Sequence, residues 1–259
     1  MKIVGLVVLL IVLSLNAFAD SDEEKGLAIA IKMEDYDSGW ADQQAVLKMI
    51  LRDAYGGESV RESRIKSLEV TDDGDKSLIV FDSPRTVKGT TFLSYSHILK
   101  PDDQWMFLPA LKRVKRISSF NKSGPFLGSE FAYEDISSQE VGKYSYKFLY
   151  DDVIDGRDVY VKERYPEYKN SGYSRQIVWV DKVHYRPAKI EFYDRNNTLL
   201  KTLMYKKYRQ YLDKHWRPDE MEMVNHQTGK STLLVWENYV FQSGLSFRDF
   251  DKNSLKRTR

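Results

Sequence analysis

The sequence predicts a mainly β protein: one large, strongly curved antiparallel sheet with a few helices. Three observations carry this. Apolar and polar residues alternate with a period of two, as in Ala45, Leu47, Met49 and Leu51 against Gln44, Lys48 and Arg52, which places one set on a buried face. Short turn signals such as Tyr55-Gly56-Gly57 and Asp155-Gly156 separate successive runs, and strands joined so closely pair antiparallel. Tyr, Phe and Trp make up 13% of the 259 residues, a content that suits strands better than a helical bundle. About a dozen strands make a sheet that tends to curl or close, with helices over an exposed face.

The elements follow in order. Lys2, the apolar run Ile3 to Leu15 and Ala17-Phe18-Ala19 have the charged, apolar and cleavage regions of a secretory signal, and the run is short for a membrane span. We expect residues 1–19 to be a signal peptide and 20–259 to form a single domain, soluble in a bacterial periplasm. Asp22 to Asp35, with Leu27, Ala28, Ala30 and Ile31 at spacings of three and four, predicts an amphipathic helix ended by Ser38-Gly39. Strands are then expected at 45–51, 60–68, 77–81, 90–96, 104–108 and 112–117. Residues 118–142 are a Ser/Gly-rich break with a short helix near Tyr133 to Val141. Strands resume at 143–150, 158–165, 174–180, 187–193, 198–210, 216–225 and 231–239. Ser246 is placed to cap a short last helix through Phe250.

Composition narrows the function. A net charge of +2 gives no electrostatic footprint for nucleic acid. The absence of cysteine removes disulfides, thiol catalysis, Cys-ligated metals and attachment of lipid through an N-terminal Cys. An apolar content of 42% with mean hydropathy −0.53 fits neither a disordered chain nor a multi-span membrane protein. His97, His184, His215 and His226 lack metal-ligand spacing, and Gly244-Leu245-Ser246-Phe247 lacks the second glycine of a nucleophile elbow. Asp72-Asp73-Gly74-Asp75 is read as a turn, not a calcium loop. No enzyme activity, metal or cofactor is expected.

Several blocks carry a family resemblance: Lys76 through Arg85 (KSLIVFDSPR), Asp102-Asp103-Gln104-Trp105 with Leu108 through Ile117 (LPALKRVKRI), Gly128-Ser129-Glu130-Phe131 with Tyr133-Glu134-Asp135, Ser171 through Arg175 (SGYSR) and Met221 through His226 (MEMVNH). In this order, across residues 20–259, the chain resembles the bacterial outer-membrane lipoprotein-sorting proteins, a LolA-like family, in a longer form that adds the 109–135 block. The resemblance implies a periplasmic half-open β-barrel capped by helices, of LolA/LolB type, whose apolar concavity shelters acyl chains of lipoproteins or lipids on their way to the outer membrane. It also implies an alternative: an accessory of an inner-membrane exporter of the RND type, without lipoprotein cargo. A monomer is expected.

A cavity for acyl chains needs apolar lining and little else, because each buried methylene contributes about 0.8 kcal/mol. The candidate lining is Leu47, Met49, Leu51, Phe81, Phe92, Trp105, Phe107, Trp179, Phe192, Met223 and Trp236; any one of them, taken singly, fits an ordinary core better than a cavity wall. The alternation does not say which face is concave, so Met106 and Leu108 are the candidates of the other register. Lys112, Arg113, Lys115 and Arg116 place four cations around Val114. They fit a solvated sheet edge, or a dock for an acidic partner or lipid headgroups, with Arg113 and Arg116 gripping carboxylate or phosphate.

Overall fold

The computed structural model describes residues 21–257. The expected signal peptide lies outside them. Helix α1, Asp22–Asp37, is followed by β1 (Asp42–Arg52), β2 (Glu58–Leu68), β3 (Lys76–Ser83), β4 (Thr91–Tyr95), β5 (Asp103–Leu108) and β6 (Arg113–Arg116). After a long connection come β7 (Tyr144–Ile154), β8 (Arg157–Pro166), β9 (Tyr173–Asp181), β10 (Pro187–Asp194), β11 (Leu199–Tyr211), β12 (His215–Asn225) and β13 (Ser231–Phe241). All thirteen form one antiparallel sheet in the order β6-β5-β4-β3-β2-β1-β13-β12-β11-β10-β9-β8-β7. The strand pattern expected from the alternation is present throughout.

Local chemistry explains the connections. In the β1–β2 turn, Asp53 Oδ1 accepts from the amides of Tyr55 and Gly57, each at 2.8 Å. Ile154 pairs with Arg157 across Asp155 and Gly156, both in the left-handed region, as a two-residue hairpin turn requires. Helix α1 starts at a capping box: Glu24 N–H donates to Ser21 Oγ (3.1 Å) and Ser21 N–H to Glu24 Oε2 (2.9 Å). Its middle lies directly on the edge strand β7. A Cβ on Gly26 would stand 2.8 Å from the carbonyl carbon of Lys147 and the amide nitrogen of Phe148, so only glycine permits this approach.

Curvature is visible in which side chains meet. Met106 on β5 and Val178 and Val180 on β9, from near the two ends of the sheet, join Leu47, Met49, Phe81, Phe92, Phe192 and Met223 in one buried cluster. Only a sheet wrapped into a half-barrel brings them together. The convex face carries smaller clusters. One packs Leu78, Val80 and Leu93 against Phe250 and Leu255 of the C-terminal segment. That segment begins with a 3₁₀ turn, Phe247–Phe250, whose Asp249 accepts from the amide of Ser246 at 2.9 Å.

The helix expected near 133–141 is absent. The connection instead contains short 3₁₀ turns, among them Tyr133–Asp135 and Val141–Lys143. The reason is tertiary: the amide of Glu134 donates to Lys122 O and that of Ser138 to Ser96 Oγ. The Ser138 bond takes a backbone donor that a continuous helix would use internally, and the Glu134 bond ties the first turn to residue 122.

Candidate functional site

The two halves of the sheet are meanders, β1–β6 and β7–β13, paired along β1 and β13. The chain therefore leaves one outer edge at Arg116 and must enter the opposite edge at Tyr144. Residues 117–143 make this crossing over the open side of the half-barrel. Phe126 and Phe131 point inward and are 0% and 1% exposed. Phe126 packs on Phe92 (centroids 5.0 Å, 67°), Phe81 (6.1 Å) and Tyr133 (5.5 Å, 88°). The apolar concavity is thus filled by a segment of the chain itself.

Polar side chains hold this segment. Asp135 Oδ2 receives Lys201 Nζ at 2.8 Å and the amide of Ala132 at 2.7 Å, while Tyr173 OH donates at 2.9 Å. Lys201 also donates to Glu130 O (2.8 Å), and Asn225 Nδ2 to Glu130 Oε2 (2.7 Å). Glu134 accepts from Tyr168 OH, Ser171 Oγ and the Gly172 amide, all at 2.8 Å. Burial and the adjacent Asp135 charge nevertheless raise the Glu134 carboxyl above the usual range. Gln104 Nε2 on β5 donates to Tyr133 O at 3.0 Å, and Arg61 on β2 to Leu127 O. At the β5 end, Asp102 takes Lys143 Nζ at 2.5 Å and lies 3.7 Å from Lys122 Nζ. Gly172, whose Cβ would meet Ser123 and Glu134 at 2.9 and 3.1 Å, lets the β8–β9 connection close on the segment.

Of the residues expected to line the concavity, Leu47, Met49, Phe81, Phe92, Phe192 and Met223 lie in the concave cluster, with Leu51 and Trp236 packed against it. Three expectations are corrected. Trp105 and Phe107 face the convex side with Leu78, Val80 and Leu93, beneath the C-terminal segment. The other register of β5 is the concave one: Met106 belongs to the cluster and Leu108 packs on it. Trp179 is convex as well, packed with Val159, Val161 and Ala188; its Nε1 donates to Asp152 at 3.0 Å and Lys189 Nζ lies 3.5 Å from its ring centroid. Both faces of the sheet are covered here, so an apolar residue on β5 or β9 does not identify the concave face. The reading of 118–142 as a break missed Phe126 and Phe131. Their signal was three phenylalanines, Phe120, Phe126 and Phe131, in a Ser/Gly-rich stretch, of which the last two turn inward.

The basic residues lie on the edge strand β6 and beside it. Arg113 and Lys115 are exposed, Lys112 precedes them in a left-handed conformation, and Arg116 pairs with Asp103. Exposed Leu111 and Phe120 flank the strand. A cavity of about 360 Å³ opens beside it, between Lys115, Ile117 and Phe120 on one side and Pro125 and Tyr133 on the other. Among the described residues no helix is long and apolar enough to cross a membrane, and no group of three His, Asp or Glu is placed to hold a metal ion.

Comparisons with known proteins agree with this geometry. A family model described only as "uncharacterized protein" matches residues 73–257. No curated protein matches. A solved domain from Vibrio parahaemolyticus, described as outer membrane lipoprotein-sorting, is 58% identical, with 91% of this chain and 100% of that one covered and a TM-score of 0.89. A DUF1329 family protein from Desulfovibrio piger is 29% identical over 91% of this chain and 100% of its own, with a TM-score of 0.86. A LolA superfamily protein from Nitrosomonas europaea, 22% identical over 91% of this chain and 99% of its own, shares the fold at a TM-score of 0.71. A half-barrel of one antiparallel sheet, an apolar concavity and these relatives together place the chain in the LolA-like family of outer-membrane lipoprotein-sorting domains.

Proposed function

We propose that the protein is a periplasmic carrier that shelters acyl chains of lipoproteins or lipids in its concavity, exported by a signal peptide cleaved after Ala19 and acting without catalysis. The observation that supports this reading most is the concave cluster, which gathers apolar side chains from Met49 to Phe192 in one buried group. Its cover is a connection held by side-chain bonds, with no sheet pairing of its own to the half-barrel. Phe126 and Phe131 occupy the volume an acyl chain would take, and the chain replaces them as the segment lifts. Because acyl chains bind by apolar area alone, the surface accepts varied cargo, and Met49, Met106 and Met223 add adaptable contacts.

A fluorescent acyl probe and mass spectrometry of lipids extracted from the protein purified from periplasm test this. Saturable probe binding and co-purified acyl species are expected; the absence of both overturns the reading. Sequencing of the exported chain is expected to start at Asp20, and an intact Met1 overturns the export assignment.

The edge strand β6 favours a second role beside the first. Lys112, Arg113 and Lys115 form no ion pairs among the described residues and stand next to exposed Leu111 and Phe120. This surface fits docking on an acidic face of an inner-membrane transporter. Reversal of Arg113 and Arg116 to Glu is expected to abolish pull-down of that partner while the fold persists.

A further inference from the structure

Two cations lie inside the half-barrel with no ion pair to either among the described residues. Lys162 and Arg164 on β8 are 2% and 8% exposed. They are two residues apart and so share one face, about 6.6 Å from each other along the strand. That face is the concave one, because Lys162 pairs across the sheet with Val178 and Phe148, which belong to or pack on the concave cluster. Arg164 uses its Nε on Gln176 Oε1 at 2.8 Å. Beyond that bond the two cations have only aromatic faces: Lys162 Nζ is 4.5 Å from the Tyr146 ring centroid, and the Arg164 guanidinium carbon 4.7 Å from that of Tyr144.

Neither forms an ion pair among the described residues. The buried carboxylates of the crossing segment are committed elsewhere, Glu134 to Tyr168, Ser171 and Gly172, and Asp135 to Lys201 and Tyr173. Glu34 on the covering helix is exposed and forms no ion pair with either cation among the described residues. Nor do the tyrosine hydroxyls turn to the cations, since Tyr144 OH donates to Gln139 Oε1 and Tyr146 OH to Val141 O.

Buried charges are ordinarily paired, because removing an ion from water without a partner is strongly unfavourable. Two like charges side by side compound the cost. Burial, with the neighbouring Arg164 charge, depresses the Lys162 ammonium well below the ordinary lysine range. An arriving anion reverses both effects. Arg164 keeps its terminal guanidinium nitrogens for a two-point grip on a planar or tetrahedral oxyanion, and Lys162 adds a point charge.

We propose that Lys162 and Arg164 form an anion-binding subsite in the concavity, taking one oxyacid group, carboxylate or phosphate, carried by an amphiphile whose acyl chain lies on the apolar cluster. This rests on the carrier reading and adds the headgroup class to it. The subsite sits on the β7–β9 side, so the ligand is oriented with its acid group there and its chain directed toward β1 and β4.

Competition binding with a long-chain fluorescent fatty acid, its methyl ester and inorganic phosphate tests the proposal on the full mature chain. The wild type is expected to bind the acid at least tenfold tighter than the ester. Lys162→Met, which keeps side-chain length and removes a buried charge, is expected to erase that preference and leave ester affinity unchanged; Lys162→Arg keeps it. Circular dichroism checks that each variant folds. Equal affinity for acid and ester in the wild type, or a preference that survives Lys162→Met, overturns the subsite while the carrier reading stands. If neither lipid binds, the carrier reading falls, and phosphate decides: a thermal upshift with phosphate that Lys162→Met abolishes supports the anion site for a free oxyanion, and no such shift overturns it.

Discussion

Lys201 Nζ stands 2.8 Å from Asp135 Oδ2, with both side chains buried, so that a cation of strand β11 holds an anion of the crossing segment inside the protein. Breaking such a pair leaves one charge without its partner. Lys201→Met is expected to lower stability by about 3 kcal/mol, read by urea denaturation. The same variant loosens the segment over the concavity, so affinity for an acyl probe rises as stability falls. A variant that loses stability and probe affinity together would make residues 117–143 a fixed part of the core.

The convex placement of Phe107 separates core from cavity. Phe107→Ala removes packing against the C-terminal segment and is expected to cost about 2 kcal/mol with acyl-probe affinity unchanged. Met106→Gln, one residue away on the other face, is expected to reduce probe affinity as well. Parallel melting and binding curves for the two variants check the assignment.

Stability should depend on pH through Asp75. Burial pushes its carboxyl up to about 7, opposed by the Val70 amide and reinforced by the charges of Glu140, Glu69 and Asp37. Between the ordinary value of 3.8 and about 7, the folded state keeps a proton that the unfolded chain has lost. Stability from this group therefore falls as pH rises through that window and levels off above it. Asp75→Asn, which cannot ionise, is expected to raise the melting temperature near pH 8 and to lose that advantage near pH 4. An equal gain at both ends would remove Asp75 as the source.

Gly26 sets how closely α1 lies on β7. Gly26→Ala forces a methyl against backbone atoms of Lys147 and Phe148, and the helix must shift outward. Despite alanine's better helix propensity, a net loss of about 1–3 kcal/mol is expected, with faster hydrogen exchange in residues 22–37.

The strands were legible because β1 and β12 carry the alternation a two-faced sheet imposes, and Tyr55-Gly56-Gly57 and Asp155-Gly156 mark turns by local chemistry alone. The buried face was legible where polar partners marked the other side, as around Leu47 and Met49, but not whether that face is concave. The choice of register failed at Trp105, Phe107 and Trp179, where the convex face is also covered and both registers are apolar. Strand order was beyond reach, since nothing local says that β13 pairs with β1 and not with the sheet edge. Without that order, residues 118–142 read as a loop rather than as the segment that must bridge β6 and β7. Lys162 and Arg164 look like solvated strand charges in sequence; only the covered face makes them unusual.

The pairing of β1 with β13 also sets the order in which the protein can be assembled. Thr232 pairs with Leu51 and Phe241 with Gln43, contacts separated by most of the chain. Each meander can form from neighbouring hairpins, but this seam must await the last strand, and closing so long a loop is slow. In a chain synthesised from its N-terminus, β1 presents an unpaired edge until Ser231 to Phe241 arrive. Such an edge invites pairing with other chains until the seam closes.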